Sequence, residues 1–128
     1  MEAGAWTQDM INRDYELAYM WIGASYPDAD DVVQKLFNSK QADAAAVTNL
    51  SRVKSDEVDA LLEKAQRSLD DQERKDLYYE LAEINDENAW YVPIYTSTNS
   101  LCTGTAVGGA YANSAQYYYA ADWTFQPE

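Results

Sequence analysis

The sequence contains no histidine, one cysteine and only nine basic residues among 128. Without histidine, the imidazole general base, the usual nucleophile triads and the common zinc sites are excluded. Cys102 by itself forms no intramolecular disulfide and offers no metal cluster. It stands too far from the N-terminus to be a lipoprotein acylation site. Cations are scarce against 22 acidic residues, leaving a formal net charge of −13. Such a surface repels phosphate backbones and anionic membranes, so a nucleic-acid partner is excluded. No apolar run approaches the roughly 20 residues of a membrane helix, so no direct membrane span is expected. The opening residues also lack the basic, apolar and small-residue order of an export signal.

What the chain has in quantity is acid and aromatic surface, with 11 tyrosines and four tryptophans in one domain's length of sequence. Tyrosine and tryptophan pair a large apolar face with a polar tip, which suits cores and half-wet binding surfaces alike. The segment that organises the rest is Tyr15 to Asp31, YELAYMWIGASYPDADD. Tyr15 to Ile22 suits a buried strand. Gly23-Ala24-Ser25 breaks it, Tyr26-Pro27-Asp28 turns, and Val32, Val33, Leu36 and Phe37 follow at helical spacing. Loops at strand ends present backbone groups on a rigid frame, so this stretch is a candidate binding surface. It reads equally well as an ordinary buried strand and turn.

Before it, Trp6, Met10 and Ile11 form one face of a short helix that Asn12-Arg13-Asp14 ends. A helix running straight into a strand is half of a β-α-β crossover. The strand that should precede it is missing, so the chain is expected to start inside a larger unit. Asp30 or Asp31 is expected to cap a helix reaching Phe37. Residues 38–50 show no consistent period and read as loop. Ser55 caps a third helix with Val58, Leu61, Leu62 and Ala65 inward. Asp70, with Glu73 three residues on, opens a fourth with Leu77, Tyr78, Leu81 and Ile84 inward. The short Arg67-Ser68-Leu69 connector predicts a helical hairpin. Ala89 to Tyr95 reads as a strand, and Pro93 marks it as an edge or crossing point. A further extended piece is expected at Leu101-Cys102, loop over 103–114, and short terminal strands at Gln116–Tyr119 and Trp123–Phe125, with partners outside the chain.

Chemistry is harder to find. Asp28, Asp30 and Asp31 lack the glycine and spacing of a calcium loop, and Asp30 and Asp31 sit where helix caps belong. Ser25 and Ser97 have no histidine and no obvious lysine base, which argues against nucleophilic catalysis. Gly104 to Gly109 lacks the lysine and hydroxyl residue of a phosphate loop. No metal, cofactor or catalytic residue is expected.

The order of motifs resembles the C-terminal part of the family 5 extracellular solute-binding proteins of ABC importers, the oligopeptide-, dipeptide- and nickel-binding type. Four stretches carry the resemblance. Asp14-Tyr15-Glu16-Leu17-Ala18 follows a tryptophan helix, like the family's "W…DYDLA". Residues 23–30, GASYPDAD, are similar to "GADYPDPD", and residues 55–65, SDEVDALLEKA, to "NPEVDALLEKA". Glu73-Arg74-Lys75-Asp76-Leu77-Tyr78, with Trp90-Tyr91-Val92-Pro93-Ile94-Tyr95 after it, is similar to "ERXXLY…PWIPLY". Together they span most of residues 5–96 in order.

The resemblance implies an α/β fold, a fragment of a two-lobe, type II periplasmic-binding-protein-like architecture. Residues 1–97 would be the C-terminal part of the second ligand-binding lobe and 98–128 the return into the first. It implies a receptor outside the cytoplasm, membrane-anchored as a lipoprotein through an N-terminal region, that delivers a small solute, foremost a peptide, to ABC permease subunits. The ligand-binding residues would be Trp21, Ile22, Gly23, Ala24, Ser25 and Tyr26. Ser25 stands where oligopeptide binders often hold an aspartate for the ligand's terminal amine, and Ala29 replaces the usual proline. A charge-assisted hydrogen bond contributes ~1.5–3 kcal/mol, so free-amine capture is in doubt. Nickel binding through histidine is impossible within this segment. Two rivals remain: a small carbohydrate-active enzyme with paired carboxylates about 5–9.5 Å apart, and a stand-alone protein-interaction module.

Overall fold

The computed structural model describes residues 3–43, 48–98, 100–113 and 117–125. It is a small, helix-rich mixed fold, compatible with a piece of an α/β protein. In order come α1 (Ala3–Asn12), α2 (Ala29–Phe37), a 3-10 turn (Ser39–Gln41), α3 (Asp56–Arg67) and α4 (Asp71–Asn88). A two-stranded antiparallel pair follows, β1 (Val107–Gly108) with β2 (Thr124–Phe125), in the register Val107–Phe125 and Gly108–Thr124.

The helices form where caps and apolar stripes agree. Ser55 accepts from Val58 N and caps α3, whose Val58, Leu62 and Ala65 are buried. Asp70 accepts from the N–H groups of Gln72 and Glu73 and caps α4. Glu73 does not complete the reciprocal box, because its carboxylate takes the Ser68 hydroxyl at 2.5 Å and the Lys64 ammonium at 3.2 Å. For α2 the cap is Asp28, two residues before the nearer of the two expected caps, accepting from Asp30 N. Asp30 lies inside the helix, buried, and receives Gln34 and Gln66 side-chain amides.

α3 packs on both α4 and α2. Phe37, Val53, Val58, Leu62 and Leu81 make the core, with Val33, Leu36, Ile84, Trp90 and Tyr91 packed against it. Two asparagines act as backbone surrogates beside this core. Asn49, almost fully buried, bonds both the N–H and the C=O of Val53 at 2.9 Å. Asn85 does the same to Tyr91 at the exit of α4. These side chains satisfy peptide groups that no helix or strand serves.

Several expectations are corrected. Tyr15–Ile22 is not a buried strand: it pairs with no described segment, and Leu17 is 93 % exposed. Ala89–Tyr95 is likewise unpaired, with Val92 and Ile94 exposed. Strand sequences become strands only when a neighbouring strand takes their N–H and C=O groups, and among the described residues no strand does. Leu101-Cys102 forms no strand either. β1 falls inside the glycine-rich stretch expected to be loop, and it supplies the partner of β2 from within the chain. Gly109 (φ 71) closes that stretch, and a Cβ there would collide with the Asp122 carbonyl oxygen. Within the 38–50 loop, Ser39–Gln41 winds as a 3-10 turn. Residues 44–47 and Gln116 lie outside the described residues. Tyr118 makes an isolated bridge to Ala112.

Candidate functional site

The two unpaired segments line one cleft of about 1460 Å³. Residues 15–24 line one part of it and residues 89–97 another, with Leu36, Phe37 and Asn85 on the side of the core and Arg13, Leu50, Ser51 and Arg52 completing the lining. The Tyr19 and Tyr95 hydroxyls meet at 2.8 Å and link the two segments. That bond, with partial burial, pushes the Tyr19 phenol above its ordinary value. Tyr15 OH donates to Leu50 O at 2.9 Å and fixes the start of the first segment. Tyr91 receives Ser51 N–H at 3.1 Å and donates to Leu36 O at 3.2 Å, while burial pushes its phenol up. Phe37 packs edge-on against Tyr91 with ring centroids 5.3 Å apart.

Of the six expected ligand residues, Trp21, Ile22, Gly23 and Ala24 line the cleft, while Ser25 and Tyr26 stand outside its lining. The Trp21 indole folds over Gly23, whose added Cβ would meet Trp21 Cη2 at 2.5 Å and Cζ2 at 2.9 Å. Trp21 is 59 % exposed, which leaves its ring open to a ligand.

Ser25 is a junction. Its N–H donates to Asp31 Oδ2 at 2.5 Å, and its carbonyl accepts the Tyr117 hydroxyl at 2.5 Å across 92 residues. Its Oγ lies 2.8 Å from Lys35 Nζ. Ser25 thus has a lysine beside it that its sequence neighbourhood did not reveal. Lys35 also pairs with Asp31 Oδ2 at 2.6 Å. An ammonium held by a carboxylate is a donor and not a general base, so Lys35 tethers the loop. The Lys35 and Ser25 bonds hold the Asp31 carboxyl below its ordinary range. Partial burial and the carboxylates of Asp30, Asp31 and Asp28 push the Tyr26 phenol up.

The carboxylates of this loop have structural work. Arg74 grips Asp28 with two bonds, Nη1 to Oδ2 at 3.1 Å and Nη2 to Oδ1 at 2.7 Å. Arg74 lowers the Asp28 pKa, and Asp28 raises that of Arg74. Among the described residues no group of three or more acidic or cysteine side chains is placed to hold a metal ion. Among the described residues no helix is long and apolar enough to cross a membrane.

Sequence reasoning missed Lys35, Arg13 and Arg52. Only Lys35 had a visible signal, its i, i+4 spacing from Asp31. No protein-family model, curated protein or solved structure matches this chain.

Proposed function

We propose that this chain is part of the substrate-binding component of an ABC importer, a piece of its second lobe, capturing an oligopeptide or similar small solute without catalysis. The observation that carries the reading is the cleft itself. Two apolar segments, 15–24 and 89–97, border it, and among the described residues their backbone makes no ladder bonds. Unpaired N–H and C=O groups beside aromatic faces suit an extended polypeptide, which bonds by its main chain and seats its side chains between rings. Four motifs in family order add to this. In the whole receptor, placed outside the cytoplasm and anchored there, the first lobe closes with this one on the ligand and the closed form engages the permease. Ligand stabilises closure by its higher affinity for the closed state.

One lobe by itself should bind weakly, so the test is amide chemical-shift titration with the N-acetylated pentapeptide Ala-Leu-Leu-Trp-Leu. Shifts concentrated in residues 18–25 and 91–97, at millimolar affinity and weakened by Trp21→Ala, are expected. Shifts absent from both segments would overturn the reading. Cleavage of a chromogenic glycoside, abolished by changing one aspartate, would replace it with the carbohydrate-active alternative.

A further inference from the structure

We infer that the Arg13–Arg52 end of the cleft receives a carboxylate, so that the solute is an apolar molecule held by its acidic end rather than by an amine. This rests on the cleft reading above and specifies its ligand.

The two arginines converge on one turn. Arg13 Nη1 donates to Asn49 O at 3.4 Å, and Arg52 N donates to the same oxygen at 3.1 Å. Both residues line the cleft. In a chain with nine basic residues and a net charge of −13, two cations at one end of an apolar cavity are a strong departure from the average surface. Among the described residues, the exposed Arg52 side chain makes no hydrogen bond or ion pair. Arginine suits the task because its planar fork matches a carboxylate with two parallel bonds.

The backbone adds an independent observation. Arg13 (φ 59) and Arg52 (φ 54) both occupy the left-handed region, where glycine is the favoured residue. Arg13 sits at the position after α1 that glycine usually takes, with Arg13 N bonded to Met10 O and Asp14 N to Asp9 O in a Schellman pattern. Arg13 has its bond to Asn49 O, whereas nothing local calls for arginine at Arg52. Non-glycine residues held in this backbone region collect at functional sites.

Charge nearby is consistent with a cationic end. Lys54, paired directly to the exposed Asp43, holds its carboxyl below the ordinary range, and the charges of Arg13 and Arg52 add to this. Glu16 also lines the cleft and, among the described residues, is the one carboxylate in its lining. At the other end, Ser25 offers no carboxylate for an amine, and Asp31 is engaged by Lys35 and Ser25 N–H.

A carboxylate on an apolar body can be a peptide C-terminus or a fatty acid. The test titrates this chain with the N-acetylated pentapeptide as free acid, the same peptide as C-terminal amide, and decanoate. The free acid or decanoate should bind at least fivefold tighter than the amide and shift the Arg52 side-chain signals. Whichever of the two does so identifies the source of the carboxylate. Arg52→Gln should remove the difference, and 0.5 M salt should shrink it by screening. Arg52→Gly should leave thermal stability unchanged or raised while abolishing discrimination, which a purely structural role would not do. Equal binding of acid and amide overturns this inference and leaves the cleft reading intact. Absence of binding by all three probes overturns both.

Discussion

Asn85 and Tyr91 exchange two hydrogen bonds, Asn85 Nδ2 to Tyr91 O at 2.9 Å and Tyr91 N to Asn85 Oδ1 at 3.0 Å. One side-chain amide thus stands in for the neighbouring strand that the 89–97 segment lacks. It fixes the direction in which the chain leaves α4 and so sets one border of the cleft.

Asn85→Ala should therefore cost about 2–3 kcal/mol, since it removes two bonds and strands a peptide N–H and C=O near the core. Urea unfolding would read this directly. A loss below 0.5 kcal/mol, with the cleft's Tyr91 signals unmoved, would contradict the role.

The Arg74–Asp28 pair gives the fold an acid limb. Asp28 has a folded pKa below its unfolded one, so its stabilising contribution is present above the unfolded value of about 3.9 and is lost as pH falls through the folded value. Asp31, lowered by Lys35, acts in the same direction. Stability should be level from pH 7 to about 5 and decline below about pH 4. Both partners are partly exposed, so Arg74→Met should cost no more than about 1 kcal/mol at pH 7. It should also flatten the decline; urea midpoints with an unchanged acid slope would count against the pair.

Leu62 and Leu17 should separate core from cleft. Leu62 is 1 % exposed between α2, α3 and α4, and Leu62→Ala should cost about 2–5 kcal/mol. Leu17→Ser should stay within about 0.5 kcal/mol of the parent, because the side chain is already in water. A large loss from Leu17→Ser would restore the buried strand expected from the sequence.

Gly23→Ala tests the Trp21 cover. The new methyl must displace the indole, which can swing into solvent at small cost to the fold. Near-ultraviolet circular dichroism should change while the unfolding midpoint holds. An unchanged aromatic spectrum would show that Trp21 does not lie over Gly23.

The helices were legible because their signals are local. Ser55, Asp70 and the stripes Val58-Leu62-Ala65 and Leu77-Leu81 fix boundaries and inward faces by spacing alone. Asp28 rather than Asp30 as the α2 cap was a miss of two residues, decided by which carboxylate reaches the N–H of Asp30. Strands failed for the opposite reason. YELAYMWI and AWYVPIY have strand composition, but pairing is a property of neighbours, and propensity cannot supply a neighbour. The candidate site was half legible: Trp21 to Ala24 line the cleft, whereas Lys35 at Ser25 and Tyr117 on its carbonyl needed the folded chain.

The sequence by itself determined charge, the exclusion of histidine chemistry, and the four helices, since each depends on residue type or on contacts within a few positions. Tertiary structure alone decided that Tyr15–Ala24 and Ala89–Ser97 border one cleft, that Ser25 is tied to Lys35, Asp31 and Tyr117, and that Arg13 and Arg52 meet at Asn49. Those relationships join residues 6 to 92 positions apart, beyond the reach of caps and of apolar spacing along a single helix.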